Sequence, residues 1–400
     1  MKQIPLQLLD SKAFDFRLSR IYRFMDNLGA STLVVSDNAN KFYLTGRIFD
    51  GWVIIDASRR DIRYFVRRQP ELSGAGVHTV RKPEEIPAVL AREGLNITPA
   101  VALELRETSY ANVVRMARAL GVKPEEILDG DAVLMGARAV KAPDEVQKIR
   151  ECATTHDRVY SRIPHLYREG MDDVELQVEI ERVSRLEGAI GIMRVSGDDM
   201  ELNMGSVLVG ANADTPSPYD FALGGAGSSP ALPVGADGTI IQRGLTVMVD
   251  TNGDFNGYMS DMTRTFIVDD EVCDESRRAH QLSIDICRRL EHDARPGTPC
   301  SELYETAIAM AREAGLEGKF MGHRHQAGFI GHGVGITINE LPVLSPRSKD
   351  ILEENNIIAI EPKFVIDKVG AVGVENTYRV GADGLERLTV CREELVSLED

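Results

Sequence analysis

The sequence predicts an α/β N-terminal domain followed by an α+β C-terminal domain. Two observations support this fold class. Helix-like and strand-like segments alternate in the first part of the 400 residues, whereas the last part contains two strand pairs separated by helices. We place the domain boundary between residues 137 and 138, so that the predicted domains span residues 1–137 and 138–400.

The N-terminal part begins with a predicted amphipathic helix. In FRLSRIYRFMDNLG, apolar residues recur at helical spacing and end at a glycine, and STLVVS then reads as a buried strand. Further strands are predicted at GWVIIDA, IRYFVRR and PAVALEL. Helices are predicted between them at EEIPAVLAREGL and SYANVVRMARALG. This order predicts a small α/β domain.

The C-terminal part opens with a long predicted helix that has Pro143 in its first turn, and DDVELQVEIERVSRLEG predicts another. Residues 204–238 are rich in Gly, Pro and Ser, which indicates loops around short strands. This stretch lacks the GK[ST] of a phosphate-binding loop. Two hairpin-like units follow, with helices predicted near 275–293 and 301–314 between them.

Composition narrows the possible partners. The formal net charge is −16 and no run of Lys or Arg interrupts the acidic background, which argues against nucleic acid and anionic membranes. The start lacks a signal-peptide pattern and no apolar run is long enough to span a bilayer, so we expect a cytoplasmic protein. The five cysteines are odd in number and scattered, and are expected to be reduced thiols without a metal role.

The first hairpin brings two carboxylates together. Asp250 ends the apolar run LTVMV, and Asp261 follows eleven residues later, after the turn-rich TNGDFNG. A turn centred on Phe255 and Asn256 would place the two aspartates directly opposite each other. Like charges in that arrangement require a shared proton or a cation. The alternative is a different register with both aspartates facing water.

The second hairpin repeats this anomaly. Glu361 follows the apolar run IIAI, Glu375 lies in AVGVENTYRV, and a turn near Lys368 pairs the two glutamates. A glutamate within a buried strand is costly unless it is paired or ligates a metal ion. His332 in GHGVG could add an imidazole ligand, although a histidine in a glycine-rich turn is more often a local hydrogen-bonding residue.

Taken in order, these residues resemble the signature of a known family. The residues that carry the resemblance are Asp250 in MVDTNG, Asp261 in SDMTRTF, His332 in GHGVG, Glu361 in IEP and Glu375 in VEN. This set resembles the five-ligand, two-metal signature of the pita-bread hydrolases, in the creatinase, prolidase and aminopeptidase P branch. The resemblance implies a creatinase-type α/β N-terminal domain and an α+β pita-bread catalytic domain similar to methionine aminopeptidase.

The resemblance also implies residue roles. Asp261 and Glu375 would bridge two divalent metal ions, with Asp250 on one ion and His332 and Glu361 on the other. Mn²⁺ is expected first, and Co²⁺, Fe²⁺ or Zn²⁺ also suit these ligands. A bridging hydroxide would attack the substrate carbonyl, and Glu361 would pass its proton to the leaving amine. The implied activity is cleavage of the Xaa-Pro bond of short peptides.

The sequence departs from the proline-specific members at two histidine positions. Asn339 stands seven residues after His332, where those members carry a histidine, and the stretch between residues 166 and 279 contains no histidine. Asparagine can donate a hydrogen bond to an oxyanion but cannot shuttle a proton. We therefore consider Asn339 as a catalytic residue, with His323 and His325 as candidate substitutes because they lie close in the chain.

These departures leave other functions open. One alternative is a creatinase-like hydrolase or a lyase that acts on a non-peptide small molecule, and another is a binding module without activity. The resemblance further implies a homodimer in which the N-terminal domain of one subunit reaches the active site of its partner.

Overall fold

Residues 3–196 and 200–399 are described by a computed structural model of the chain. The chain divides into two units, Met1–Arg138 and Ala139–Asp400. Within the described ranges, none of the helices is both long and apolar enough to cross a bilayer. Each unit is considered separately.

The first unit contains a mixed sheet with helices packed against it. The strand order is β6-β4-β3-β2-β7-β8, and β2 pairs antiparallel with β3 but parallel with β7. The strands are β1 Ile4–Pro5, β2 Thr32–Val35, β3 Gly51–Asp56, β4 Asp61–Val66, β5 Leu72–Ser73, β6 Val77–Thr79, β7 Val101–Leu103 and β8 Leu128–Asp129. The helices are α1 Ser11–Leu28, α2 Asn38–Thr45, α3 Ile86–Arg92, α4 Tyr110–Leu120 and α5 Asp131–Ala139.

Local signals explain the helix ends of this unit. The Asp10 side chain accepts a hydrogen bond from the Ala13 amide at the start of α1, and Gly29 ends the helix at φ 74°. Helices α2 and α5 were not predicted. Helix α2 is short, yet Asp37 caps its start and Gly46 its end in the same way. Helix α5 extends across the boundary that we placed after residue 137.

The second unit consists of strand pairs enclosed by helices. Its helices are α6 Pro143–Tyr160, α7 Asp173–Leu186, α8 Asp274–Asp293 and α9 Cys300–Glu313. Its strands are β9 Gly205–Val209, β10 Thr246–Asp254, β11 Met259–Ile267, β12 Gly331–Gly333, β13 Glu340–Leu344, β14 Ile357–Ile360, β15 Lys363–Ile366, β16 Gly370–Gly373, β17 Asn376–Val380, β18 Leu385–Arg387 and β19 Val396–Ser397. Pro143 occupies the first turn of α6, as predicted.

Three strand groups build the frame that holds the site. They have the orders β19-β11-β10-β9, β13-β12-β14-β17-β18 and β15-β16. A bridge between Thr263 and Glu375 joins the first group to the chain that follows β16. Apolar side chains of α8 and α9 pack against β14 and β15, and those of α6 and α7 pack against β9 to β11. The strands are therefore covered by helices, and polar side chains among them need specific partners.

Candidate metal centre

The hairpin β10–β11 brings Asp250 and Asp261 to one face, but not in the register that we predicted. Asp250 pairs with Thr263, and Asp261 pairs with Asn252. The direct pairing of the two aspartates is therefore wrong by two residues, because the connection runs from Phe255 to Tyr258 and its centre lies one position further along the chain. Since side chains alternate with a period of two, this shift leaves both carboxylates on the same face as diagonal neighbours.

The second hairpin has the predicted register. Lys363 pairs with Gly373 and Ile366 with Gly370, so the turn centres on Lys368. Beyond the β15–β16 ladder, Ile360 pairs with Asn376 in the same register. Glu361 and Glu375 thus lie opposite each other between two ladders, where both side chains are buried.

His332 enters the cluster from a third position. It lies in the middle of β12, which pairs with both β13 and β14. The Nδ1 atom is 3.1 Å from the Gly333 carbonyl, which can only accept, so the tautomer with its proton on Nδ1 donates there and leaves Nε2 free to bind a metal ion. Nε2 lies 3.5 Å from Glu361 Oε1 and 3.7 Å from Asp261 Oδ2. The imidazole therefore presents a metal-binding nitrogen to the carboxylates.

The side chains of the cluster form two overlapping groups of donor atoms. Within each group, the atoms lie within 4.8 Å of one another. The groups are Asp261, His332 and Glu375, and Asp250, Glu361 and Glu375. Glu375 belongs to both, which agrees with the bridging role that the resemblance implies.

Burial changes the acidity of these groups. Desolvation, followed by the nearby charges of Asp250 and Glu361, raises the pKa of Asp261 well above its usual value. Desolvation, followed by the charge of Asp261, likewise raises the pKa of Glu375. Several buried carboxylates at such short separations require cations or shared protons to coexist.

Lys363 provides one of these cations, and sequence reasoning missed it. Its side chain is fully buried, and its Nζ lies 2.8 Å from Asp250 Oδ2, 2.5 Å from Glu361 Oε2 and 3.4 Å from Glu375 Oε2. Burial disfavours the ammonium, but the three carboxylates outweigh it and hold the pKa of Lys363 well above its usual value. The signal was available, because a residue two positions after Glu361 on an extended chain points to the same face.

The remaining contacts of Glu375 test whether the residues fit a metal ion. Thr263 Oγ1 donates to Glu375 Oε2 at 2.7 Å, whereas Oε1 is buried and has no hydrogen-bond partner among the described residues. A buried carboxylate oxygen without a partner is costly unless something else satisfies it. With the His332 nitrogen and the other carboxylate oxygens nearby, the donors fit a divalent transition-metal ion.

Arg264 links the two hairpins that carry the carboxylates. Its fully buried guanidinium donates to the carbonyls of Thr263 and Glu375 at 2.7 and 2.8 Å and to the Asn376 side chain at 2.8 Å. Two further bonds reach the carbonyls of Arg392 and Cys391. The arginine thus fixes the backbone that carries Glu375 relative to β11.

A cleft opens beside the cluster. All five predicted ligands and Asn339 share its lining with apolar side chains. The apolar side chains are Met193, Val195, Met200, Phe221, Ala222, Phe329 and Ile338. The lining of the cleft therefore combines the acidic cluster with apolar side chains.

The additional candidates are placed differently. Asn339 lines the cleft, but both ends of its amide bond the Ser196 backbone: Oδ1 accepts from the amide at 2.7 Å and Nδ2 donates to the carbonyl at 2.6 Å. His323 is exposed and lies 3.1 Å from Asp214 Oδ2. His325 is exposed and lines a different depression. The expectation that these two histidines line the metal-site cleft is wrong, because the chain before β12 carries them to the surface.

Comparisons with known proteins agree with this geometry. The model of the metallopeptidase family M24 matches residues 147–382, and that of the creatinase/prolidase N-terminal domain matches residues 17–140. An Xaa-Pro dipeptidase from Pyrococcus furiosus is 26% identical over 388 residues, covering 95% of this chain and 99% of the relative.

Solved structures support the predicted fold. The prolidase from Pyrococcus horikoshii OT3 superimposes with a TM-score of 0.76 at 21% identity, covering 95% of this chain and 99% of that one. An Xaa-Pro dipeptidase from Bacillus anthracis gives a TM-score of 0.77 at 19% identity, covering 96% and 99%. The pita-bread fold and the creatinase-type N-terminal domain predicted from the sequence are thereby confirmed.

Proposed function

The chain belongs to metallopeptidase family M24, and from this membership we propose that it is an exopeptidase that hydrolyses the Xaa-Pro bond of short peptides. Relatives named Xaa-Pro dipeptidase align with it over nearly their whole length. The creatinase/prolidase N-terminal region precedes the M24 metallopeptidase region along this chain. The proposal extends the activity for which these relatives are named to this protein.

The character of the cleft is the observation that carries the proposal. The carboxylates and the imidazole line part of the cleft, where a scissile carbonyl would be polarised, and seven apolar side chains line much of the rest. A proline ring is apolar and has no amide hydrogen to satisfy, so it suits walls made by residues such as Met193, Phe221 and Phe329.

We assign the metal-binding role to Asp250, Asp261, His332, Glu361 and Glu375. A divalent ion bound among them would lower the pKa of a coordinated water and polarise the substrate carbonyl. Glu361 Oε1 lies 3.5 Å from His332 Nε2 while its Oε2 is bound by Lys363, so Oε1 is the atom available to accept a proton and return it to the leaving amine. Mn²⁺ is our first choice of metal, with Co²⁺, Fe²⁺ and Zn²⁺ as alternatives.

A dipeptide panel tests the proposal. Metal-loaded protein should release amino acids from Ala-Pro and Leu-Pro and leave Leu-Gly and Ala-Leu intact. Replacing Asp261 or His332 by alanine should lower kcat/KM at least about a thousandfold, because each removes a donor from one group. Glu313→Ala, at an exposed position, is the control. Asp220 is also exposed but is unsuitable because it lines the cleft. Full activity in Asp261→Ala would reject the mechanism.

A second candidate is a hydrolase or lyase for a non-peptide small molecule. The observation that favours it is Asn339, whose amide is engaged with Ser196 and offers no proton-transfer group where proline-specific relatives carry a histidine. Inertness towards the whole peptide panel, together with metal-dependent turnover of a compatible-solute or guanidino compound, would favour this candidate over the first.

We further propose a cytoplasmic homodimer. The free cysteines support a reducing compartment, and the dimer rests on the resemblance alone. Sedimentation velocity at micromolar concentration should give a mass near twice 44.1 kDa. A monomer under those conditions would remove both the dimer and the contribution of the partner's N-terminal domain.

A further inference from the structure

We propose that the ammonium group of Lys363 takes the place of one metal ion, so that each chain binds a single divalent ion, held by Asp261, His332 and Glu375. This inference rests on the proposed function only in treating the cluster as a metal site. It departs from our sequence prediction of two ions. Its test measures bound metal and is independent of peptide cleavage.

The partners of Lys363 are the first reason. Its three ion pairs are with Asp250, Glu361 and Glu375. These are the same three residues that form one of the two donor groups of the cluster. The lysine therefore does not lie beside the cluster at random but occupies one of its two cation positions. The other group, which contains the imidazole, has the only histidine among the five predicted ligands.

The backbone around Lys363 explains why the ammonium stays there. Lys363 begins β15, and its cross-strand partner is Gly373. Gly373 lies at φ 150°, and a Cβ at that position would come within 2.7 Å of the Pro362 carbonyl and 3.0 Å of the Lys363 Cα. The two chains are thus in close contact. The lysine side chain points to the face that Glu361 shares, and no part of it reaches solvent.

Coordination chemistry is the second reason. A divalent ion in the Asp250, Glu361 and Glu375 group would need carboxylate lone pairs to which the ammonium already donates hydrogen bonds, at 2.8 Å for Asp250 and 2.5 Å for Glu361. The two cations would also repel each other in a buried site. The lysine and one divalent ion leave the four carboxylates with a net charge of −1, and a second divalent ion would reverse it to +1.

This arrangement gives Lys363 a positioning role. By holding Glu361 through Oε2 and Asp250 through Oδ2, the ammonium orients Glu361 so that Oε1 lies on the side of His332. A proton acceptor is then aimed at the position where the single ion and its water would be bound. The lysine thereby orients the carboxylates as a second ion would. The donor group that contains His332 stays free to bind the single metal ion.

The experiment is a measurement of metal stoichiometry. Apo protein is equilibrated with increasing MnCl₂ by dialysis, bound manganese is counted by mass spectrometry, and the electron paramagnetic resonance spectrum is recorded. The wild type should saturate at about one equivalent per chain with the signal of an isolated Mn²⁺. Lys363→Gly should take up about two equivalents and give an exchange-coupled pair. Lys368→Ala, an exposed lysine in the turn of the same hairpin, is the matched control and should behave as wild type.

The outcomes separate this inference from the proposed function. Two equivalents and a coupled pair in the wild type overturn it, whatever the variants do, as does a single equivalent in a folded Lys363→Gly. If that variant does not fold, Lys363→Met, which keeps the chain length without the charge, replaces it with the same expectation. One equivalent in a wild type that cleaves no peptide supports the inference and rejects the proposed function. No bound metal rejects both.

Discussion

Asn339 and Ser196 form a reciprocal pair of hydrogen bonds, with the Asn339 side chain serving as acceptor for the Ser196 amide and as donor to its carbonyl. Ser196 directly follows the segment that contributes Met193 and Val195 to the cleft. The position where a histidine was expected to act on the substrate is therefore used to hold an apolar wall. This indicates that Asn339 is a positioning residue.

Removing this amide should weaken substrate binding more than chemistry. We expect Asn339→Ala to raise KM for an Xaa-Pro dipeptide about tenfold and to change kcat less than about threefold, because two hydrogen bonds of about 1 kcal/mol each no longer order the wall. Steady-state kinetics give both constants. Asn339→Asp keeps the acceptor and loses the donor, so its KM should be intermediate, and exposed Asn112→Ala should match wild type. A hundredfold fall in kcat at constant KM would instead indicate a group that acts on the reacting atoms.

Divalent metal should stabilise the second unit. The buried cluster contains carboxylates that only a cation or a proton can satisfy, so Mn²⁺ binds the folded chain more tightly than the unfolded one. At about 100 times the dissociation constant, the gain is about 2.7 kcal/mol. We expect calorimetry to show Tm rising by about 5 to 10 °C with Mn²⁺ and falling again with EDTA.

His332→Ala provides the control for that measurement. It removes the imidazole from the group that contains Asp261 and Glu375 but leaves the ion pairs of Lys363 in place. The response to Mn²⁺ should therefore be mostly lost while the stability of the apo protein changes little. An equal Mn²⁺ shift in this variant would place the ion elsewhere.

Arg264 should be essential for stability. Its buried guanidinium makes five hydrogen bonds, four of them to backbone carbonyls. Arg264→Met would leave those oxygens buried without donors, and we expect a loss of about 3 to 5 kcal/mol in the free energy of unfolding. Urea denaturation measures this loss, and exposed Arg278→Met should cost less than about 0.5 kcal/mol. Near-wild-type stability of Arg264→Met would mean that water replaces the arginine.

How far the site could be predicted differs between the two hairpins. The register around Lys368 was predicted correctly because the β15–β16 turn is short and Pro362 marks the adjacent break between ladders. The register of β10–β11 was missed by two residues because several turn centres fit TNGDFNG equally well. The error did not affect the prediction of a shared face, since only an odd shift reverses the side chains.

Tertiary contacts account for what the sequence left unpredicted. Nothing local in Asn339 indicates a bond to Ser196, because 143 positions separate them and the contact depends on how two loops meet. Lys363 is different, since alternation from Glu361 would have placed its ammonium among the carboxylates.

Glu104 offers a test of electrostatics in the first unit. Its carboxylate is buried and accepts hydrogen bonds from the amides of Ser36 and Asp37 at 2.5 and 2.8 Å and from the Asn40 side chain at 2.8 Å. It therefore satisfies amides at the start of α2, the helix that was not predicted. Desolvation outweighs these bonds and raises the pKa of Glu104 from 4.5 to about 7.

The sign of the resulting pH dependence follows from linkage. A carboxyl whose pKa is higher in the folded state stabilises that state. This stabilisation is fully present below the unfolded pKa of 4.5 and is lost as the pH rises through about 7. Between about pH 5 and pH 8, the free energy of unfolding of wild type should fall by about 2 to 3 kcal/mol relative to Glu104→Gln, which does not titrate. Urea denaturation across this range measures the difference, and exposed Glu125→Gln should follow the wild-type profile. Parallel profiles for wild type and Glu104→Gln would mean that the hydrogen bonds at α2 compensate the burial of the charge.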